Sequence, residues 1–330
     1  MTHKEIAKLA NVSVSTVSKA LSGSRDISEE ITKEIVQIAI NIGYFKEKSK
    51  KSLERQKSKS ILIGIVCPEI ISIHYSKIIT FIKQQVEKSG GQVGVYITDF
   101  NENKKDEILQ MLLLRNCCDG IILFGRYSSI SKPNVPIMCI DCSCPNPLCD
   151  TIISDFYSPI NDAVVHLKNL GHTKIGFIGE PKTQTKQENF IRAMKTNNIE
   201  VNDNFIYNFN ARFEEIGIAA AETVFKSTSY PTAFIAAYDE IALAFIHKLT
   251  KNGFKVPDDI SVIGINDIPF SSYAQTPLTT VKTMYEDAIP EAVDFLFAEI
   301  LHNLPTGNTI KLTYKLIVRE TTSEVKHDKL

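Results

Sequence analysis

The chain has 330 residues, 43% hydrophobic and 23% charged, the composition of an ordinary globular protein with room for two or three domains. It contains no run of about 18 apolar residues, and Met1-Thr2-His3-Lys4-Glu5 opens directly on an amphipathic pattern, so neither a membrane span nor an export segment is expected and a cytoplasmic location follows. The net charge of −1 hides a division: residues 1–60 carry 12 Lys/Arg against 7 Asp/Glu, and the rest carries 25 against 31. A basic end on an acidic body fits a polyanion at that end, although a Lys-rich exposed surface would look the same.

Two short amphipathic helices come first. One runs from about Thr2 to Ala10, with Ile6, Leu9 and Ala10 at helical spacing, and Asn11-Val12-Ser13 breaks it. Ser13 can cap the next helix by accepting the amide of Ser15 or Thr16. That helix, Val14 to about Leu21, places Val17, Ala20 and Leu21 on one side and Ser15, Ser18, Lys19 and Ser22 on the other, with Val14 at the border. A solubility face would carry Glu and Lys pairs; short hydroxyls and one cation suit the close approach to base edges in a major groove. A third helix begins at Ser28, with Glu29 and Glu30 complementing its dipole and Ile31, Ile35, Ile38 and Ile42 as its expected buried stripe, ended by Gly43. Three such helices make either a helix-turn-helix unit or a generic small bundle.

The run Lys4-Glu5-Ile6-Ala7-Lys8-Leu9-Ala10-Asn11-Val12-Ser13-Val14-Ser15-Thr16-Val17-Ser18-Lys19-Ala20-Leu21, followed by Ser28-Glu29-Glu30 and Ile42-Gly43-Tyr44, resembles the lactose-repressor/galactose-repressor family of bacterial transcriptional regulators. The resemblance implies that Val14 and Ser15 choose the operator and that Thr16 and Ser18 contact backbone or bases. Lys19 stands where the family usually has Arg, a point charge in place of a two-pronged donor. Residues 46–60 are rich in Lys and Ser, a tether by composition. In the family this stretch becomes a hinge helix on DNA, driving a leucine into the minor groove; the matching residue is Leu53.

Beyond residue 60, apolar strands alternate with helices. Strands are expected at Ile61–Val66, Val93–Ile97, Gly120–Phe124, Pro136–Ile140, Lys174–Gly179, Thr232–Ala237 and Ile260–Ile265. Helices are expected at Ile78–Lys88, Asp106–Leu114, Ile160–Leu170, Gln187–Asn197, Ile216–Ser227 and Glu240–Asn252. Two such series predict two doubly wound subdomains whose ligands meet loops at the strands' carboxyl ends. Further resemblance lies in 170–179 (Leu170-Gly171-His172-Thr173), Tyr238-Asp239-Glu240-Ile241-Ala242, 256–264 and Thr276-Pro277-Leu278-Thr279-Thr280-Val281. The expected whole is an all-α helix-turn-helix headpiece (1–45), a hinge (46–60) and an α/β periplasmic-binding-protein-like sensor core of two doubly wound parallel-sheet subdomains. The first subdomain takes about 61–155 and 284–314, and the second about 156–283 and 315–330.

By the same resemblance His74 and Tyr75 match an aromatic pair over the effector, Lys186 stands where an Arg grips it, and Asn266 replaces an Asp. Tyr238 and, more weakly, Arg212 join them. An aromatic pair before a helix can equally be core, and Lys186 simply solvated. An amide at 266 pairs with sugar hydroxyls as both donor and acceptor. The expectation is therefore a repressor-type regulator, a homodimer on a pseudo-palindromic double-stranded operator, controlled by a carbohydrate bound between the subdomains, a galactoside being the narrower expectation. A non-sugar ligand such as a purine and a carbohydrate-acting α/β enzyme stay open as alternatives. No nucleophile elbow, phosphate loop or zinc motif is present, and no catalytic residue, metal or cofactor is expected. Cys142, Cys144 and Cys149 in one Pro-containing stretch could take a soft metal or sense oxidation, or be plain loop residues.

Overall fold

The computed structural model describes residues 2–21, 24, 26–42, 44, 60–115, 117–128, 132–302, 304 and 306–326. The chain forms two compact units, Met1–Ser154 with Tyr285–Leu312 and Asp155–Met284 with Thr313–Leu330. It begins with three helices, α1 (His3–Leu9), α2 (Val14–Leu21) and α3 (Glu29–Asn41). In chain order there follow β1 (Ile61–Cys67), α4 (Ile73–Lys88), β2 (Gly91–Ile97), α5 (Glu102–Arg115), β3 (Gly120–Phe124), β4 (Ile137–Cys142) and β5 (Asp150–Ile153). Then come α6 (Ser158–Asn169), β6 (Ile175–Gly179), α7 (Gln184–Thr196), β7 (Ile206–Asn208), α8 (Glu214–Lys226), β8 (Ala233–Ala236) and α9 (Asp239–Lys251). The last elements are β9 (Ser261–Ile265), α10 (Phe270–Tyr273), β10 (Thr279–Thr283), α11 (Tyr285–His302), β11 (Thr309–Lys311) and β12 (Tyr314–Ile317).

The turn between α1 and α2 is a compact left-handed cap. Asn11 has φ of 51°, and the Val12 amide donates back to the Ala7 carbonyl at 3.0 Å, satisfying an end carbonyl of α1. The headpiece core is Ile6, Ala7, Ala10, Val17, Ala20, Leu21, Ile35, Val36 and Ala39. Two sequence expectations are corrected here. Leu9 is 60% exposed, and the buried stripe of α3 is Thr32, Ile35, Val36 and Ala39, with Ile31 at 40% exposure and Ile38 and Ile42 half-buried. Thr32 enters the core because its hydroxyl donates to the Ser28 carbonyl at 2.9 Å, so no polar atom is stranded.

The first unit holds a six-stranded sheet in the order β11-β5-β4-β3-β1-β2, every pairing parallel. The second holds another, β12-β10-β9-β8-β6-β7, parallel except where β12 runs against β10. Central strands read as unbroken apolar runs because helices cover both faces, and β3, β6, β8 and β9 are buried throughout. Helices α8 and α9 pack closely through Gly217, where a Cβ would stand 2.4 Å from the Ile241 carbonyl. Parallel order brings the loops after β1, β2, β3 and β4 to one edge of the first sheet, and those after β6, β7, β8 and β9 to one edge of the second. Among the described residues no helix is long and apolar enough to cross a membrane.

Candidate functional site

Helix α2 divides as its sequence implies. Val17 and Ala20 are fully buried and Leu21 nearly so, while Val14, Ser15, Ser18 and Lys19 are exposed. The Ser13 hydroxyl accepts the Thr16 amide at 3.0 Å and lies 2.8 Å from the Thr16 hydroxyl, so Thr16 is half-buried and committed to the cap. Lys19 bonds Asp26 at 3.1 Å, and its ammonium holds the Asp26 carboxyl below the usual range. Both are exposed, so the contact can exchange for a phosphate at little cost. The result is a rigid helix presenting two free hydroxyl positions, one aliphatic and one cation; Leu53 lies outside the described residues. The turn is a point of leverage. Asn11→Val puts a β-branched residue into the left-handed region at a cost of about 1–2 kcal/mol. Hydrogen-exchange protection of the α1 and α2 amides should fall roughly tenfold, whereas Asn11→Gly should leave it near wild type.

At the loop edge of the first sheet, α4 starts on Ser72, whose hydroxyl accepts the Tyr75 amide at 3.1 Å. This cap sets His74 and Tyr75, both half-buried, on the first turn. His74 packs on Tyr75 and on Tyr285, with ring centroids 5.3 and 5.7 Å apart. Tyr75 meets Phe124 edge-on at 5.6 Å and Phe100 at 6.2 Å. Tyr285, which sequence reasoning missed, donates to Asp141 at 2.7 Å, and Asp141 also accepts from Ser154 at 2.9 Å. The pair is therefore the accessible part of an aromatic cluster anchored in the sheet.

At the loop edge of the second sheet, the Lys186 ammonium donates to the Ala237 carbonyl at 2.8 Å and lies 4.5 Å from the Tyr238 ring centre. Tyr238 packs near Phe213 at 6.0 Å, and the Arg212 guanidinium lies over Phe213 at 4.3 Å. Arg212 also pairs with Glu180 at 3.0 Å, a carboxylate only 2% exposed. Lys186, Arg212 and Tyr238 thus form one chain of contacts. Asn266 stands apart, immediately after β9, with its backbone amide on the Val281 carbonyl at 2.9 Å. Its residue is 9% exposed, and its side-chain nitrogen has no hydrogen-bond partner among the described residues. A buried amide donor left unsatisfied costs about 1–3 kcal/mol, a cost that an acceptor on a ligand removes.

His172 is structural. It is buried, with Nδ1 2.9 Å from the Thr232 hydroxyl and Nε2 3.0 Å from the Ser323 carbonyl, and burial lowers its pKa. Of the three cysteines, Cys142 closes β4 while Cys144 and Cys149 lie in the loop before β5; Cys144 is exposed, and Cys149 is fully buried 3.5 Å from Cys139. A hydrogen bond with Cys139, and then burial, push the Cys142 thiol well up, which opposes thiolate chemistry. No group of three or more His, Cys, Asp or Glu among the described residues could hold a metal ion.

Comparison with known proteins bears on both ends of the chain. Residues 2–47 match the family model described as bacterial regulatory proteins, lacI family, and residues 164–322 match a periplasmic binding protein-like domain. The probable HTH-type transcriptional repressor ExuR of Bacillus subtilis is 30% identical over 300 residues, covering 87% of each chain. The HTH-type transcriptional repressor PurR of Mannheimia succiniciproducens is 26% identical over 335 residues, covering 98% of this chain and 99% of its own. A LacI family transcriptional regulator from Lactobacillus casei, solved with bound glucose, shares the fold with a TM-score of 0.70 at 21% identity, covering 79% of this chain and all of that one. With an N-terminal helix-turn-helix and two parallel α/β subdomains behind it, the chain belongs to the lacI family of bacterial regulatory proteins, DNA-binding transcriptional repressors that carry an effector domain.

Proposed function

We propose that this repressor binds a pseudo-palindromic operator as a homodimer and answers to a carbohydrate. Val14, Ser15, Ser18 and Lys19 read DNA, with Thr16 fixing the start of their helix and Leu53 acting in the hinge. His74 and Tyr75 of the first unit, and Lys186, Tyr238, Asn266 and secondarily Arg212 of the second, contact the effector. The observation that carries the effector reading is the buried Asn266 side-chain nitrogen, without a hydrogen-bond partner among the described residues, on the same sheet edge as the separate Lys186, Arg212 and Tyr238 chain. Sugars suit that mixture: hydroxyls and ring oxygens accept from amide and ammonium, and C–H faces stack on aromatics. The glucose held by the Lactobacillus casei relative supports the class.

A thermal-shift screen of mono- and disaccharides, galactosides included, tests this. A sugar at 100 times its Kd should add about 2.7 kcal/mol of stability, and Asn266→Leu should abolish the shift. A shift produced by a purine base and by no sugar would overturn the carbohydrate assignment.

A further inference from the structure

Asp239, the first residue of α9, is fully buried. Its Oδ2 accepts from the Ile268 amide at 2.9 Å and from the Ser271 hydroxyl at 2.8 Å, and its Oδ1 accepts from the Thr280 hydroxyl of β10 at 2.5 Å. One carboxylate therefore ties the start of α9, the segment after β9 and the strand β10 to a single point. The sequence makes room for it at Gly264, where a Cβ would lie 2.2 Å from Oδ1.

The segment so tied needs restraint. Asn266 and Asp267 have φ of 116° and 47°, two successive residues with side chains on the left-handed side of backbone space. Such conformations persist only where the surroundings over-determine them. Among its restraints are the Asn266 amide on the Val281 carbonyl at 2.9 Å, Asp267 on Arg319 at 2.7 Å, and the Asp239 clamp on Ile268 and Ser271. Asn266, which opens this restrained segment, is buried, and its side-chain nitrogen has no hydrogen-bond partner among the described residues.

We propose that Asp239 is a positioning residue for effector binding: its carboxylate fixes the 266–271 turn and thereby holds the Asn266 amide where a ligand acceptor can meet it. The inference rests on the reading of Asn266 as an effector contact. It assigns Asp239 no contact with the ligand.

Two variants of the full-length protein separate a positioning role from bulk support. Asn at 239 can keep every bond, its oxygen accepting from Ile268 and Ser271 while its NH2 donates to the Thr280 oxygen; Ala keeps none. Deuterium exchange over 266–271 is read beside titrations with D-glucose and D-ribose. In Asp239→Ala, exchange in the turn should rise at least about tenfold with β9 still protected, and sugar affinity should fall at least about tenfold. Asp239→Asn should stay within about threefold of wild type in both. Should the Ala variant fail to fold, Ser271→Ala removes a single donor and should give a smaller rise in exchange of the same segment. A turn equally protected in wild type and Asp239→Ala, or an Asn variant as impaired as Ala, would overturn the proposal. Wild-type protein that takes neither sugar speaks against the carbohydrate reading alone, because exchange still decides whether Asp239 holds the turn.

Discussion

Replacing Ser18 by Glu is expected to lower operator affinity by at least about 100-fold while leaving the unfolding midpoint and any effector-induced shift unchanged. Ser18 is exposed on the face of α2 opposite Val17, Ala20 and Leu21, so the substitution opens no cavity and buries no charge. Glutamate is also a better helix former than serine. On the DNA-reading role proposed for α2, however, its carboxylate would face phosphates and base edges where serine would donate or accept. A lost base contact costs about 1–3 kcal/mol and repulsion adds to it, so about 2.7 kcal/mol, a factor of 100, is a modest expectation. Lys195→Glu is the control: it makes a larger change in net charge, at an exposed position of α7 in the other unit. Lys195 is not among the proposed DNA contacts, so the change should shift affinity by no more than about twofold in moderate salt, where screening is strong. Gel-shift titrations with a selected operator read both variants. Equal losses would mean that net charge, and not the α2 face, governs binding.

How far the sequence could be read depends on whether a signal is periodic or spatial. The α2 face was legible because burial there follows helical spacing and the polar positions are short. The stripe of α3 was not, because its isoleucines repeat convincingly at 31, 35, 38 and 42 while the three-helix core takes the smaller Thr32, Val36 and Ala39 beside Ile35. Small residues let neighbouring helices approach, and that requirement has no periodic signature. The helix α11 escaped for the opposite reason. It is buried on nearly all sides, from Tyr285 through Ala288, Ile289, Ala292, Val293 and Phe295 to Ala298, so it has no amphipathic stripe, and Pro290 reads as a breaker. Strand β5 looks like loop because it opens Asp150-Thr151; it is held by pairing with β4 and β11, and Asp150 accepts from Asn308 at 2.7 Å.

The site divides the same way. Residues matched by resemblance could be named, but their state could not. That Lys186 is already bound to a carbonyl, that Arg212 is paired with a buried carboxylate, and that the buried Asn266 side-chain nitrogen has no hydrogen-bond partner among the described residues are facts of packing. Asp239 was visible only as one letter of a quoted stretch. Its role arises because three separate segments deliver donors to it.

Glu299→Gln should remove a large share of the protein's alkaline destabilisation. Glu299 lies on α11, 5% exposed and close enough to Asp150 for the two carboxyls to interact, and neither of its carboxyl oxygens has a hydrogen-bond partner among the described residues. Burial first, and then repulsion by Asp150, push Glu299 up to about 10, while burial pushes Asp150 to about 6. The upward shift favours a protonated Glu299 beside Asp150 at neutral pH. Both carboxyls have folded-state values above their unfolded ones, so each contributes stability that is fully present at low pH. Asp150's share is lost as pH rises from about 4 to about 6, and that of Glu299 is lost between the ordinary glutamate range and about 10. Between pH 7 and 9 the folded state holds a proton that the unfolded chain has released, so stability falls by about 1.4 kcal/mol per pH unit. Glutamine keeps a donor toward Asp150 and has no proton to lose. Its variant should match wild type near pH 6 and become more stable by on the order of 4 kcal/mol at pH 9. Urea titrations at pH 6, 7, 8 and 9 measure the difference between the two proteins, in which titrating groups outside this carboxyl pair cancel. Parallel profiles would mean that Glu299 is ionised in the fold and that the carboxyl pair shares no proton.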